Sequence, residues 1–273
     1  MIYHTIRLCP RSRMRPDLFI GAPSIKSEAI FLADSHYNPL GREEVLPFLE
    51  AIGRGEVKTP QLFLMGDICD ALIGKFRYCR ARNKPIIDAI DAIAKSGAEV
   101  WYFEGNHDFA LEGVFSEAVK IVKKSDQPKR FLFENERVWL LHGDYRVELR
   151  YAIYAAFIRT RIGLALTHLF SLNFWDDRLL KSMEKRLLKK RLQYDIADFQ
   201  NKRIKKIADL IASSNMVIEG HFHQNCRYNV EESFFGGRRS LYCNLASFAC
   251  EKSYLRIQSE ENGAFLREER WER

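Results

Sequence analysis

Five short clusters of polar residues combine side chains that bind metal ions and transfer protons. They hold five of the seven histidines of the chain, together with aspartates, an asparagine and several glycines. Carboxylate, imidazole and amide groups without a thiolate favour a first-row divalent ion, because Mg²⁺ and Ca²⁺ prefer shells made of oxygen alone. This mixture predicts a site for manganese, iron or zinc. The clusters are Asp34-Ser35-His36, Gly66-Asp67, Gly105-Asn106-His107-Asp108, His142-Gly143-Asp144 and Gly220-His221-Phe222-His223.

The number of candidate ligands is sufficient for two metal ions when solvent completes their shells. Two ions about 3.5–4 Å apart share a bridging carboxylate, and we predict that Asp67 is the bridge. Two divalent ions keep a positive excess over two carboxylates, so the site should attract an anion such as a phosphate ester. The neutral amide of Asn106 preserves this excess. The predicted metal ligands are Asp34, His36, Asp67, Asn106, His142, His221 and His223.

His107 directly follows the predicted ligand Asn106, so its side chain must project in another direction. An imidazole beside a metal site can donate a proton to a leaving-group oxygen or stabilise the charge that grows there. We expect Asp108 to orient the ring of His107 and keep it protonated. His107 and Asp108 are therefore the predicted catalytic residues. An alternative stays open for Asp70, Asp108 and Asp144, each of which could serve only to orient metal ligands.

The clusters all lie at the ends of short runs of apolar, aromatic or β-branched residues, which are typical of strands buried on both faces. Helical patterns alternate with these runs, so we predict an α/β sheet. Such sheets bind ligands outside the carboxyl ends of their strands, where the clusters lie. The apolar runs with their polar ends cover residues 29–34, 61–67, 99–106, 137–144 and 216–223, and the helical patterns cover residues 42–52, 85–95 and 112–122.

The pattern changes after the fourth cluster. Residues 147–213 contain an aromatic stretch followed by a basic stretch of helical period, which predicts two to four helices inserted as a cap. From about residue 224 onward, short strand-like runs separated by turn residues predict a closing β region. The predicted division is an N-terminal extension, residues 1–27, and a core, residues 28–146 and 214–273, with the cap inserted between the core segments.

The positive charge of the chain is concentrated in the predicted cap. Residues 150–206 carry fourteen Lys or Arg and five Asp or Glu, a net charge of +9, whereas the whole chain has +7. Such a segment predicts an anionic partner, which could be nucleic acid, anionic lipid or a phosphorylated substrate. Beside an aromatic stretch it suits an acylated, phosphorylated substrate at an anionic membrane surface, where each Lys or Arg contributes about 1 kcal/mol. The alternative interpretation of the aromatic stretch is the core of a helical hairpin.

Composition favours a reducing compartment. The 273 residues, of which 47% are hydrophobic, can bury a large core. None of the six cysteines forms a Cys-x-x-Cys pair, which predicts free thiols. No window reaches the ~18 apolar residues of a membrane span, and the N-terminus has no apolar run typical of a signal peptide. We therefore expect a cytoplasmic protein, with Met14 as an alternative start of translation.

The motifs D-x-H, G-D-x-x-D, G-N-H-D, H and G-H-x-H occur in this order between residues 28 and 250. In this order they resemble the motifs of the calcineurin-like metallophosphoesterases. The resemblance implies a four-layer αββα sandwich and in-line attack on phosphorus by hydroxide bound to the metals. It also implies one metal ion on Asp34, His36, Asp67 and His223, and a second on Asp67, Asn106, His142 and His221.

Within this family the chain looks most like the UDP-2,3-diacylglucosamine diphosphatases of lipid A synthesis. The stretch GDICDALIG, the HGD motif and the helical insertion directly after it carry this resemblance. It implies that manganese-dependent cleavage of a UDP-linked, doubly acylated sugar yields a lipid monophosphate and UMP at the cytoplasmic face of the inner membrane. The chain departs from this group at His107, where those enzymes have arginine, and shows no clear Ser/Asn/Lys substrate pattern in the cap.

The motifs are compatible with three functions. The first is a lipid-nucleotide pyrophosphatase, which would take an acylated UDP-sugar, contact the membrane peripherally through the basic cap and have no nucleic-acid partner. The second is a soluble metal-dependent phosphodiesterase or phosphatase acting on nucleotides or nucleic acid, whose binding would weaken steeply with salt. The third is a scaffold that has lost catalysis and some ligands, but all seven ligands are present. The aromatic density before the basic stretch favours the first function over the second.

Overall fold

The computed structural model describes residues 5–7, 16–147, 160, 176–231, 239–260 and 263–272. Their strands form two six-stranded sheets and one two-stranded sheet. The strands are β1 (Thr5–Arg7), β2 (Ile30–Leu32), β3 (Gln61–Leu64), β4 (Leu72–Ile73), β5 (Glu99–Phe103), β6 (Asp108–Phe109), β7 (Val119–Val122), β8 (Lys129–Phe133), β9 (Glu136–Leu141), β10 (Met216–Glu219), β11 (Cys226–Glu231), β12 (Arg239–Asn244), β13 (Ser253–Glu260) and β14 (Gly263–Arg270). The α-helices are α1 (Val45–Gly53), α2 (Arg77–Arg82), α3 (Lys84–Lys95), α4 (Asp176–Leu188), α5 (Phe199–Lys206), α6 (Ala208–Ser213) and α7 (Phe248–Glu251).

The two large sheets are mixed, and each contains parallel neighbours. The first sheet has the order β1-β11-β12-β10-β9-β8, and the second has the order β14-β13-β2-β3-β5-β7. Strands β2, β3, β5 and β7 are parallel, as are β9, β10 and β12. Parallel neighbours place their carboxyl ends on the same edge of a sheet. The five apolar runs form β2, β3, β5, β9 and β10, so the predicted strands and the α/β class are confirmed.

The alternation of side chains along β3 explains how the sheets pack. Phe63 faces the first sheet, where it meets Phe131 of β8 edge to face at 5.3 Å, and its ring stacks at 4.7 Å on Phe31 of the neighbouring strand β2. Its neighbours Leu62 and Leu64 point to the opposite face, in the cluster that includes residues of α1 and α3. Every residue of β3 is buried. Burial on both faces accounts for the continuous apolar run of this strand.

Helix α3 covers the outer face of the second sheet with one apolar stripe. Ile86, Ile90 and Ile93 recur at helical spacing and are fully buried, whereas Asp88 on the other side is exposed. Pro85 lies in the first turn, where an N–H group would have no partner within the helix. The spacing of the isoleucines that predicted a helix here therefore also determines which face of α3 packs against the second sheet.

Helices α5 and α6 cover the outer face of the first sheet. Ile204 of α5 is fully buried in a cluster with Val217 of β10. Both helices belong to the segment predicted as a cap, residues 147–213, yet they take part in the packing of the sheet. Most of the preceding part of that segment, residues 148–159 and 161–175, lies outside the described residues. Within the described residues, no helix has the length and apolar character needed to cross a bilayer.

The structure contradicts the predicted helix over residues 112–122. Val119–Val122 form β7, which pairs in parallel with β5, and the residues before it form turns. Gly113 adopts a φ of +71°, in the left-handed region that a right-handed helix excludes. Pairing along the sheet edge thus outweighs the helical period of this short segment.

The predicted closing β region is confirmed. Strand β13 pairs antiparallel with β2 in the second sheet, and β12 pairs in parallel with β10 in the first. The C-terminal part of the chain therefore contributes strands to both large sheets. The division into an extension, a core and a cap stays a prediction.

Candidate metal centre

The polar clusters meet at the carboxyl ends of the five predicted strands. Ligand atoms of six predicted metal ligands and of His107 form three groups, and the atoms of each group lie within 4.8 Å of one another. The seventh predicted ligand, Asn106, joins them because its Oδ1 lies 3.2 Å from Nε2 of His142. The structure therefore brings all seven into one region. The groups are Asp34 with His36 and His223, His36 with Asp67 and His107, and Asp67 with His142 and His221.

Three of the histidine rings are oriented by hydrogen bonds on the side away from the centre. In each ring, Nδ1 faces a carbonyl or carboxylate oxygen, which only accepts hydrogen bonds, so Nδ1 carries the proton. The Nε2 atom of the neutral ring then presents a lone pair to the centre, as metal binding requires. The contacts are His36 Nδ1 with Asp70 Oδ1 at 3.1 Å, His142 Nδ1 with the Met65 carbonyl at 2.9 Å and His223 Nδ1 with the Leu192 carbonyl at 2.6 Å.

The donor atoms of the centre fit a divalent cation. The Nε2 atom of His36 is buried and has no hydrogen-bond partner among the described residues. A buried nitrogen without a hydrogen bond lowers the stability of the folded protein by about 1–3 kcal/mol. A cation bound to this nitrogen would remove the penalty. Nε2 of His223 lies 3.2 Å from Oδ1 of Asp34, and Nε2 of His142 lies 3.6 Å from Oδ1 of Asp67. Each of these nitrogens therefore faces an anionic oxygen across a gap that a shared cation would bridge.

Both central carboxylates are held in the charged form although they are buried. Burial opposes ionisation of Asp34, but the facing ring of His223 outweighs it and lowers the pKa of the carboxyl group. Burial also opposes ionisation of Asp67, whereas three surrounding histidines, led by His142, bring its pKa below the usual range. The centre thus offers two anionic oxygen donors at neutral pH.

The imidazole groups differ in their protonation. Burial lowers the pKa of His36, and burial together with the charge of His142 lowers the pKa of His221 to about 3. These two rings are neutral and ready to bind a metal. Burial opposes protonation of His142 and His223 as well, but the neighbouring carboxylates outweigh it and raise the pKa of both rings. A metal ion must therefore displace a proton from each of these two rings.

Five of the predicted ligands have a left-handed backbone conformation, which is uncommon for residues that carry a side chain. This conformation costs about 1–3 kcal/mol per residue and persists where the surrounding structure requires it, often at functional sites. Here each ligand follows a strand, and the tight turn directs its side chain across the strand ends. The φ values are 51° for Asp34, 45° for His36, 52° for Asp67, 70° for His221 and 55° for His223.

Two glycines allow the ligands to approach one another. Gly66 has a φ of +90°, and a Cβ atom added to it would lie 2.4 Å from Nδ1 of His142. A Cβ atom added to Gly105 would lie 2.2 Å from Oδ1 of Asp67. Both distances are shorter than van der Waals contact, so the positions of these two ligands require glycine next to them.

Asp108 does not orient the ring of His107, contrary to the prediction. Successive residues of a strand point to opposite sides, and Asp108 begins β6, so its carboxylate points into the protein. Nδ1 of His107 instead contacts the carbonyl of Asp70 at 2.8 Å. Asp108 organises the loops that carry the ligands. Its oxygens accept hydrogen bonds from the N–H groups of Asp67 at 2.9 Å, Gly105 at 2.8 Å and Ile68 at 2.6 Å, and from the hydroxyl of Tyr102 at 2.7 Å.

No protein-family model matches the chain. Its similarity to known proteins is therefore seen in individual relatives. A relative from Vibrio vulnificus strain YJ016 is 28% identical over 115 residues, 42% of this chain and 46% of the relative. One from Aromatoleum aromaticum is 29% identical over 119 residues, again 42% and 46% of the two chains. One from Blochmanniella pennsylvanica is 21% identical over 208 residues, 75% of this chain and 82% of the relative.

All three relatives are named UDP-2,3-diacylglucosamine hydrolase. The chain resembles these hydrolases. The resemblance predicted from the motifs is therefore confirmed at the level of sequence. For the first two relatives, the chain spans about half the length of the protein that it matches.

Several side chains that are not predicted metal ligands support this centre. Asp70 binds His36, as one of the open interpretations expected, and Asn38 and Arg42 donate to its second oxygen. Asp144 is paired with Lys124. These supports lie in different loops, and the sequence pattern did not single out either Arg42 or Lys124.

Proposed function

We propose that the chain is a metal-dependent hydrolase of phosphoric anhydrides, and that it cleaves the pyrophosphate of UDP-2,3-diacylglucosamine in lipid A synthesis. The observation that carries this proposal is the direction of the Nε2 atoms of His36, His142 and His223. They converge on the carboxylates of Asp34 and Asp67. A mixed imidazole and carboxylate set without thiolate suits Mn²⁺, Fe²⁺ or Zn²⁺.

We infer that the centre holds two divalent ions, with manganese as the expected metal. Asp67 belongs to two of the three groups of ligand atoms, which supports its role as the shared carboxylate. When bound, the ions would supply Lewis acidity and an activated water for attack on phosphorus. One ion would be held by Asp34, His36, Asp67 and His223, and the other by Asp67, Asn106, His142 and His221.

The position of His107 supports a role in protonating the leaving group. Its main-chain N–H donates to Oδ1 of Asp67 at 2.8 Å, and its Nδ1 contacts the carbonyl of Asp70. These contacts hold the ring beside the predicted ligands while its side chain remains partly exposed. With Nδ1 bound to the carbonyl, Nε2 is the ring atom that would carry the transferable proton. It would pass to the leaving oxygen as the bond to phosphorus breaks.

We also propose that the two large sheets and their helices form a four-layer αββα sandwich with an inserted helical cap. Helices α1 and α3 pack on the second sheet, α5 and α6 pack on the first, and an aromatic cluster lies between the sheets. The core would comprise residues 28–146 and 214–273, after an extension of residues 1–27. The cap would comprise residues 147–213, of which α5 and α6 pack on the first sheet.

The proposed substrate is an acylated UDP-sugar, and the products are a lipid monophosphate and UMP. The names of the relatives support this choice, and so does the net charge of +9 over residues 150–206. Lysines and arginines near an anionic leaflet contribute about 1 kcal/mol each. We therefore propose peripheral binding to the cytoplasmic face of the inner membrane through the basic cap, with no nucleic-acid partner.

The decisive experiment compares two substrates in the presence of Mn²⁺. The full-length protein should hydrolyse UDP-2,3-diacylglucosamine in detergent much faster than bis(p-nitrophenyl) phosphate, a soluble phosphodiester. The Asp67→Ala variant serves as the control for contaminating activity, because it should hydrolyse neither. Preference for the soluble diester would support the alternative, a soluble phosphodiesterase or phosphatase acting on nucleotides or nucleic acid. Hydrolysis of neither substrate would contradict both functions.

A further inference from the structure

Residues 184–194, here called the strap, run beside one half of the candidate metal centre. The strap consists of the last residues of α4 and the loop that follows them. Three of its main-chain carbonyl groups accept hydrogen bonds from side chains of the centre or of its supports. These bonds join Asn38 Nδ2 to the Glu184 carbonyl at 3.1 Å, Arg42 Nη2 to the Leu188 carbonyl at 3.3 Å and His223 Nδ1 to the Leu192 carbonyl at 2.6 Å.

The third bond acts directly on a predicted ligand. A carbonyl oxygen only accepts hydrogen bonds, so the contact with Leu192 places the proton of His223 on Nδ1 and leaves Nε2 to face Asp34. The side chain of Leu192 is itself buried, which anchors this point of the strap in the protein. Detachment of the strap would leave the ring of His223 without the bond that sets its tautomer and direction.

The other two bonds reach a second ligand through Asp70. Oδ1 of Asp70 contacts Nδ1 of His36, while its Oδ2 accepts hydrogen bonds from Asn38 and Arg42 at 3.0 Å each. These two donors are the ones that bind the strap. The carboxylate of Glu184, at the start of the strap, is buried and pairs with Arg82 at 3.3 Å. The strap therefore supports the imidazoles of both His36 and His223, which form one group of ligand atoms with Asp34.

We propose that the strap positions one half of the metal centre, the half formed by Asp34, His36 and His223, and that Asn38 and Arg42 are its positioning residues. This inference deepens the proposed function and rests on it. Hydrogen-bonded supports of metal ligands typically contribute a factor of about 10–100 to metal affinity. The ring of His142 in the other half is oriented by the carbonyl of Met65, which lies outside the strap. Loss of the strap contacts should therefore weaken the binding of one metal ion and leave the binding of the other unchanged.

Binding free energies are reciprocal, so a metal ion that the strap stabilises must stabilise the docked strap to the same extent. The strap carries five exposed trypsin sites, Lys185 and Arg186 in the last turns of α4 and Lys189, Lys190 and Arg191 in the loop after it. Cleavage requires local opening, and its rate follows the population of the open form. Addition of Mn²⁺ should therefore slow trypsin cleavage within the strap, which provides a readout that does not depend on activity.

The test compares two arginines whose side chains are largely shielded from solvent, Arg42 and Arg256. Arg42→Gln removes the donors to Asp70 and Leu188. Arg256→Gln is the matched control, because Arg256 has a similar side-chain exposure, pairs with the carboxylate of Glu269 and donates to main-chain carbonyls at the opposite end of the second sheet, those of Glu28 and Lys58. Affinity for Mn²⁺ is measured by equilibrium dialysis and elemental analysis on the full chain, with circular dichroism to verify folding. If Arg42→Gln does not fold, Arg42→Lys is used instead. It keeps the positive charge beside Asp70 but lacks the second guanidinium nitrogen, which donates to the Leu188 carbonyl.

We expect the Arg42 variant to bind one of two ions about 10–100-fold more weakly, and to be cut in the strap even with Mn²⁺ present. The Arg256 variant should match the wild type in both measurements. Wild-type affinity and cleavage in the Arg42 variant would overturn the strap proposal and leave the proposed function intact. An equal loss in both variants would also overturn it, because general destabilisation would then explain the effect. A wild-type protein that binds no Mn²⁺ would overturn the proposed function, and the strap proposal with it.

Discussion

The guanidinium group of Arg203 lies against the carboxylate of Glu219, with two nitrogen–oxygen distances of 2.6 Å, and both side chains are buried. Arg203 also donates to the carbonyl of Gly143, directly after the predicted ligand His142. Glu219 ends β10, just before the turn that carries His221. A buried ion pair thus joins the supports of two predicted metal ligands.

Replacing Arg203 with methionine should lower the free energy of unfolding by about 3–5 kcal/mol, because Glu219 would remain buried without its partner. Urea denaturation followed by circular dichroism measures this change. The double variant R203M/E219M should recover part of the loss, since no charge is then left unpaired. Arg54→Met is the surface control and should leave the transition unchanged. The prediction would be contradicted if the Arg203→Met variant unfolded at the same urea concentration as the Arg54→Met control.

Asp67→Ala should lose both metal ions, because the carboxylate of Asp67 is shared between two groups of ligand atoms. Elemental analysis of protein dialysed against Mn²⁺ gives the stoichiometry. Asp88→Ala, which removes an exposed carboxylate of α3, should retain the full metal content. Retention of one ion by the Asp67 variant would show that this carboxylate serves a single ion.

His107→Ala should retain both ions and lose turnover by about 10²–10⁴-fold, the usual contribution of a general acid. The loss should be smaller for a p-nitrophenyl ester, because its leaving group needs no proton. Parallel measurement of metal content and of turnover on both substrates separates this role from metal binding. Loss of metal in this variant, or an equal loss of turnover on both substrates, would argue against proton donation by His107.

Affinity for Mn²⁺ should rise with pH through the neutral range. The carboxylates of Asp67 and Asp34 raise the pKa of His142 and His223, so the metal-free protein keeps these two protons above the ordinary histidine pKa of about 6.5. Metal binding must release them, and it becomes easier as rising pH removes them beforehand. Calorimetry in buffers of different ionisation enthalpy counts the released protons. An affinity that is flat between pH 6 and 8 would contradict this protonation scheme.

The core strands and the ligand types could be predicted because both depend on local pattern. The buried run around Phe63 is apolar since both faces of β3 pack against other layers. The turn after it must carry Asp67 close to the sheet edge. The same reasoning failed for residues 112–122, where a helical period was too short to prevail over pairing with β5. It also failed for Asp108, because adjacency to His107 in the chain says nothing of the side to which a carboxylate points.

The sequence by itself determined which residues stand at the strand ends and which chemistry they offer, because run length, side-chain period and functional groups are properties of short segments. Only the tertiary structure decided what orients each imidazole ring. The rings of His142 and His223 face the carbonyls of Met65 and Leu192, which are 77 and 31 residues away in the chain. A hydrogen bond to a main-chain carbonyl involves no particular side chain, so it leaves no trace in the sequence and arises only when distant loops are packed together.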